Sequence, residues 1–178
     1  MKIGIAGAGG IGSNVAAYLV RSGVRRLKLV DFDRVEASNL NRQFYFHDQI
    51  GRYKVDALKE NLTRIVSGIE VEKEVLRLNA TNITMAFKDC DVVVEGFDGK
   101  AEKKMLLETL STSGCWIVSA SGVAGDGTDA IEKRRMGPCT IIGDFQTDVR
   151  HVKCFAPKVA AVAAMMADVI LTKGGLYA

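Results

Sequence analysis

Gly7, Gly9 and Gly12 stand in the spacing G-x-G-x-x-G, with Gly10 and Ser13 completing G-A-G-G-I-G-S. The first glycine permits a tight turn, the second lets backbone approach a phosphate, and the third lets a helix pack on a strand. A helix opening there would aim free N–H groups and its positive end at the same phosphate. Asp31 closes the next apolar run, where a carboxylate can accept hydrogen bonds from ribose hydroxyls. Together these residues describe a nucleotide site. The loop alone does not choose between a dinucleotide and ATP. An NAD-dependent oxidoreductase, a non-catalytic ATP or AMP sensor and a scaffold for a partner enzyme all stay open at this point.

The segment that narrows the choice runs from Asp31 to Lys54: D-F-D-R-V-E-A-S-N-L-N-R-Q-F-Y-F-H-D-Q-I-G-R-Y-K. It resembles the ThiF/MoeB group, adenylyltransferases that activate sulfur-carrier proteins for thiamine and molybdopterin synthesis and are relatives of the ubiquitin-activating enzymes. Their pattern is G-x-G-G-x-G-S, then D-x-D-x-V-x-x-S-N-L-x-R-Q, then a lysine, then an aspartate after the fourth strand. Each element occurs here in order between Gly7 and Asp98.

The resemblance implies an ATP- and magnesium-dependent adenylyltransferase acting on the C-terminal carboxylate of a small ubiquitin-like sulfur carrier. It assigns Gly7, Gly9, Gly10, Gly12 and Ser13 to the phosphates, and Asp31 and Asp33 to the nucleotide. Asn39 adds a hydrogen bond near the phosphates. Arg42 and Lys54 are cations that offset charge on the triphosphate and the leaving pyrophosphate. Asp98 is the magnesium ligand. The implied reaction needs positioning and charge neutralisation more than a protein nucleophile. Arg42, Lys54 and Asp98 are therefore the expected catalytic set. Each has a bland alternative, and for Asp98 it is a cap on the helix beginning near Lys100.

The chain departs from its relatives in several places. Many carry two C-x-x-C pairs that bind zinc. Here Cys90, Cys115, Cys139 and Cys154 form no such pair, so no zinc is expected. Some thiamine-pathway relatives link a cysteine to the carrier, a role for which Cys139 and Cys154 are the candidates. Relatives place an arginine from an N-terminal helical segment in the partner subunit's ATP site, whereas this sequence opens on its first strand. Gly99 stands where relatives often have Asn. His47 and His151 lack metal-like spacing. Family habit implies a homodimer.

Composition fits this reading. The 178 residues are 48% hydrophobic and 25% charged, with a formal net charge of +3. That suits one globular domain over 1–178 and gives no argument for nucleic acid. The apolar runs 3–8 and 159–171 are too short for a membrane span, and the first is too short for a secretory leader. Cysteines beside apolar runs suggest buried thiols kept reduced in a cytoplasm.

Elements of the right kind lie where the site needs them. Apolar runs predict strands over 2–6, 27–30, 69–75, 92–94, 116–120 and 140–142. Helical spacing predicts helices over 11–21, 51–66, 82–87, 100–112 and 159–171, with Pro157 in the last helix's first turn. Residues 33–48 read as irregular, and Gly122 to Gly127 as a mobile loop. Alternating strand and helix imply an α/β fold: a Rossmann-like, doubly wound, mainly parallel sheet with helices on both faces.

Overall fold

The computed structural model describes residues 1–148 and 151–177. Its strands are β1 (Ile3–Ala6), β2 (Arg26–Val30), β3 (Glu70–Glu74), β4 (Val92–Glu95), β5 (Trp116–Ala120), β6 (Glu132–Met136) and β7 (Cys139–Gly143). Its helices are α1 (Gly10–Arg21), α2 (Lys54–Ile65), α3 (Ile83–Ala86), α4 (Lys100–Leu110) and α5 (Ala156–Lys173). The strands form one sheet in the order β3-β2-β1-β4-β5-β7-β6, parallel throughout except for β6. The chain winds outward from β1 through β2 to β3, then returns to lay β4 on the other side of β1. The switch point thus falls between β1 and β4, where ligands bind beyond the carboxyl ends of the strands.

The central strands read as unbroken apolar runs because both faces of the sheet are covered. Ile3, Ile5, Val92 and Val94 point into a core closed by α1, α2 and α5. Ala6, Val30 and Val93 point the other way, against Ile83, Phe87 and Leu106 of the α3/α4 layer. The last helix buries Val159, Val162, Ala163, Met166 and Ile170 against α1 and the sheet, so its apolar face is already occupied within the chain.

One boundary and one strand differ from expectation for physical reasons. Helix α2 starts at Lys54 rather than Gly51, because Tyr53 bridges back to Arg34 and the Lys54 N–H donates to the Asp33 carbonyl at 2.9 Å. Strand β6 was not expected at all. Its sequence, Glu-Lys-Arg-Arg-Met, has no apolar alternation and every residue is exposed. It exists through antiparallel pairing with β7 across the turn at Gly137 and Pro138.

Candidate functional site

The glycine loop joins β1 to α1 as the spacing requires. Gly7 has φ +90°, a conformation that favours glycine. A Cβ on Gly12 would overlap the Gly7 carbonyl oxygen, and one on Gly96 would come within 2.7 Å of it. Three backbones therefore meet at the switch point with no room for side chains. The first intrahelical bond runs from the Ser13 N–H to the Gly9 carbonyl, which leaves the N–H groups of the first turn without helical partners.

Asp31 holds this loop from the side. Its carboxylate accepts the Ala8 N–H at 2.6 Å and the Asp33 N–H at 2.7 Å. Burial pushes its pKa up, against the pull of those two N–H groups and of Lys54. A carboxylate offers about four lone-pair directions, so two acceptor sites remain for ligand hydroxyls. Lys54 is buried and paired with Asp33 at 3.1 Å.

A cleft of about 220 Å³ opens here, lined by Gly7, Gly9, Asp31, Asp33, Lys54 and Asp98 and walled by the apolar Phe32, Leu76 and Leu78. Asp98 also lines a neighbouring cavity of about 400 Å³, with Asn41, Arg42 and Cys154. It borders a third space of about 180 Å³ under Ser121 and Gly122. Its carboxylate is exposed and has no hydrogen-bonded partner among the described residues. It is not the helix cap: Gly99 occupies that position, with no side-chain capping bond.

Other expected residues sit behind this surface. Ser13 is fully buried; its hydroxyl donates to the Gly9 carbonyl and accepts the Phe44 N–H at 3.0 Å. Asn39 is buried, and its side-chain oxygen accepts the Glu36 N–H at 3.1 Å. Both side chains shape the loops. Neither Gly10 nor Gly12 lines the cleft. Arg42 is half-buried and donates to the Ser38 carbonyl and to Asn41. The structure thus gathers Asp31, Asp33, Lys54 and Asp98 in one cleft and places Arg42 across Asp98 from it.

Sequence reasoning missed three supports. Tyr45 is buried and donates its hydroxyl to the Ala8 carbonyl at 2.7 Å, fixing the polar segment against the glycine loop. Burial, with the charges of Asp31 and Asp33, holds that phenol well above its usual pKa. Gln49 and Asn61, both buried, exchange amide hydrogen bonds at 2.7 and 3.1 Å, while Asn61 also donates to the Phe44 carbonyl. Glu95, fully buried at the end of β4, accepts from Ser119 at 2.6 Å, from Lys103 and from the Phe97 N–H. It sets the turn that carries Asp98. A charged residue closing an apolar strand was the only visible signal for it.

The cysteines divide. Cys139 faces the α3/α4 core and burial pushes its thiol up to about 12, which makes it a poor nucleophile. Cys154 is half-buried between Arg42 and Asp98. Burial raises its pKa, with Arg42 pulling down and Asp98 pushing up.

Residues 1–173 match the profile of the ThiF family. The chain belongs to that family. Curated relatives include the adenylyltransferase and sulfurtransferase UBA4 of Yarrowia lipolytica, 33% identical over 78% of this chain and 35% of that protein. The adenylyltransferase and sulfurtransferase MOCS3 of Caenorhabditis briggsae is 35% identical over 69% of this chain and 31% of its own length. This ThiF-family chain therefore spans about a third of those relatives. Among solved structures it superposes on E. coli tRNA N6-threonylcarbamoyladenosine dehydratase TcdA in complex with AMP, with a TM-score of 0.85 at 17% identity. The match covers 98% of this chain and 87% of that one. E. coli MccB superposes with a TM-score of 0.78 at 24% identity, over 98% and 56% of the two chains. These two establish the shared fold.

Proposed function

We propose that the protein adenylates the C-terminal carboxylate of a small ubiquitin-like sulfur carrier, using ATP and magnesium, as a homodimer in the cytoplasm. The observation that carries the reading is the position of Asp98. An unpaired carboxylate stands between the cleft at the glycine loop and a second, cation-bearing cavity, at the switch point of the sheet. Its oxygens suit a hard cation shared with phosphates. Magnesium there would be held mainly by this one carboxylate, water and nucleotide. When bound, magnesium would offset phosphate charge.

The chain's own groups do the rest. The free N–H groups of α1 bind phosphate oxygens, and Asp31 accepts from the ribose. Lys54 and Arg42 flank the reacting phosphate and lower the charge that develops on the leaving pyrophosphate. The carrier carboxylate attacks the α-phosphorus, forming the mixed anhydride and releasing pyrophosphate. Relatives named as adenylyltransferases support this activity.

Pyrophosphate exchange with candidate carriers tests the reading. Carrier-dependent exchange is the expected result. Exchange that depends on tRNA instead would redirect the substrate to an RNA-borne carboxylate. Calorimetric titration with ATP–magnesium and with NAD is the companion measurement, and tighter NAD binding would replace adenylation by a redox role. Light scattering at micromolar concentration tests the dimer.

A further inference from the structure

At the end of the sheet opposite the glycine loop, the last helix leaves a trough uncovered. Helix α5 packs over β5 and β7, and β6 lies beyond its flank. In the β6/β7 ladder Lys133 stands opposite Ile142 and Arg135 opposite Thr140. Ile142 faces the core under α5, so both cations stand on the α5 side of the sheet. A space of about 310 Å³ separates them from the last turns of the helix. Trp116 and Thr140 floor it, and Thr172 and Lys173 form its far wall.

Two independent observations mark this space. First, three cations meet there without an ion-paired carboxylate. Lys133 has no partner among the described residues, and Arg135 makes a long bond to the Gly137 carbonyl at 3.5 Å. Lys173 lies 3.9 Å from the centre of the Trp116 ring. Burial, and then the charge of Arg135, lower the Lys173 pKa, so these two cations repel each other where they stand. Asp168 also borders the trough, but its carboxylate accepts the Tyr177 hydroxyl at 2.8 Å, and the lining stays net positive. Second, Thr140 is 8% exposed, yet its hydroxyl has no hydrogen-bonded partner among the described residues. The buried hydroxyls of Ser13 and Ser119, by contrast, donate at 2.7 and 2.6 Å. A buried donor left unpaired beside converging positive charge calls for an anion.

We propose that the trough binds a phosphate dianion, free or as a monoester, held by the Arg135 guanidinium, the Thr140 hydroxyl and the charges of Lys133 and Lys173. A guanidinium matches two phosphate oxygens, while lysines act as point charges. The enclosed shape suits a compact anion rather than an extended chain. Trp116 opens β5 and Lys173 ends α5, so the site lies at the amino ends of the strands and shares no residue with the nucleotide cleft. It stands independently of the adenylation reading.

Trp116 is the chain's one tryptophan and reports on the site directly. An anion that draws Lys173 off the ring removes a cation from its face and should shift its emission. The test titrates the full chain with inorganic phosphate and with glycerol 1-phosphate, at an ionic strength held constant with sodium chloride. A saturable shift with either ligand is expected, and the tighter of the two identifies the source of the phosphate. Arg135→Ala should weaken binding about tenfold, and Thr140→Val about fivefold with no fall in melting temperature. Emission that follows ionic strength alone would overturn the proposal. So would affinities that Arg135→Ala and Thr140→Val leave within twofold of the parent. A single-stranded RNA oligonucleotide is the contrasting arm. RNA that binds more tightly than both small ligands, with a steep loss in salt, would replace the dianion by a diester backbone and overturn it too.

Discussion

Asp98 can be changed without touching what holds the fold together. It caps no helix and pairs with no described residue, so Asp98→Asn should leave the melting temperature within about 2 °C of the parent. Its proposed role lies in charge. Losing one preorganised electrostatic contact costs about a hundredfold to a thousandfold in rate, and pyrophosphate exchange should fall by that amount. A large drop in melting temperature with exchange intact would instead make Asp98 structural. Arg42→Ala should also lose exchange about a hundredfold, mostly in rate or ATP affinity. Asn61 is the opposite kind of residue. Asn61→Ala removes its bonds to the Phe44 carbonyl and to Gln49 and leaves the Gln49 Nε2 buried and unpaired, while the Gln49 Oε1 keeps the Phe46 N–H. Urea unfolding should show a loss of about 2–4 kcal/mol.

At the scale of elements, the approach of α1 to β1 is what the glycine spacing makes possible. Gly12→Ala should push the helix off the loop, because its Cβ overlaps the Gly7 carbonyl and comes 2.9 Å from the Ile5 side chain. Overpacking of this kind costs about 1–3 kcal/mol; ATP binding by calorimetry should weaken further still, since the phosphate cradle is displaced. The elements legible in the sequence were those with an apolar face: the central strands, α1, and α5 opening on Pro157 all lie near their expected places. Strand β6 was illegible because it is held by pairing alone. The site divides the same way. Gly7, Asp31 and Asp98 could be placed because each follows a strand that ends at the switch point. Ser13 and Asn39 belong to the same motifs, yet they turn inward to satisfy neighbouring backbone, and only tertiary contacts show that. Tyr45 carries no local pattern, since its partner Ala8 is far away in the chain, and Glu95 shows only as a charge closing an apolar strand, its partner Ser119 being equally remote.

Across the molecule, the glycine-rich stretch near Gly122 is tied down by charge. Lys158, at the start of α5, donates to the Ala124 carbonyl and pairs with Asp144 at 2.7 Å, both side chains 5% exposed. Burial pushes the Asp144 pKa up, but Lys158 and the N–H groups of Gln146 and Thr147 outweigh it and hold the carboxyl at about 2. An unfolded aspartate titrates near about 3.9. The stabilisation is therefore complete above about pH 4 and is lost as pH falls toward about 2, to the extent of roughly 2 kcal/mol. Asp31, whose pKa is raised, works in the opposite sense and offsets part of that loss. Thermal melts between pH 2 and 6 should show the decline for the parent. Lys158→Met removes the cation from the buried carboxylate and leaves it the Gln146 and Thr147 donors, so it should be about 3–5 kcal/mol less stable at neutral pH and keep only part of the acid slope.

The two outermost strands of the sheet have a consequence for how the protein behaves when crowded. Glu70–Glu74 closes one rim with Glu-Val-Glu-Lys-Glu, and Glu132–Met136 closes the other with Glu-Lys-Arg-Arg-Met. A bare strand edge is a template on which another chain can stack, and charged side chains are what make that stacking unfavourable. One rim is mostly acidic and the other mostly basic, so each repels a copy of itself while the two rims attract each other. Colloidal behaviour should then depend on ionic strength: weak head-to-tail association at low salt, dispersing as salt screens the rims. Replacing Lys133 and Arg135 with valine would give the basic rim one apolar β-branched face. Such a variant should form thioflavin-positive, sheet-rich aggregates on mild heating, where the parent stays clear.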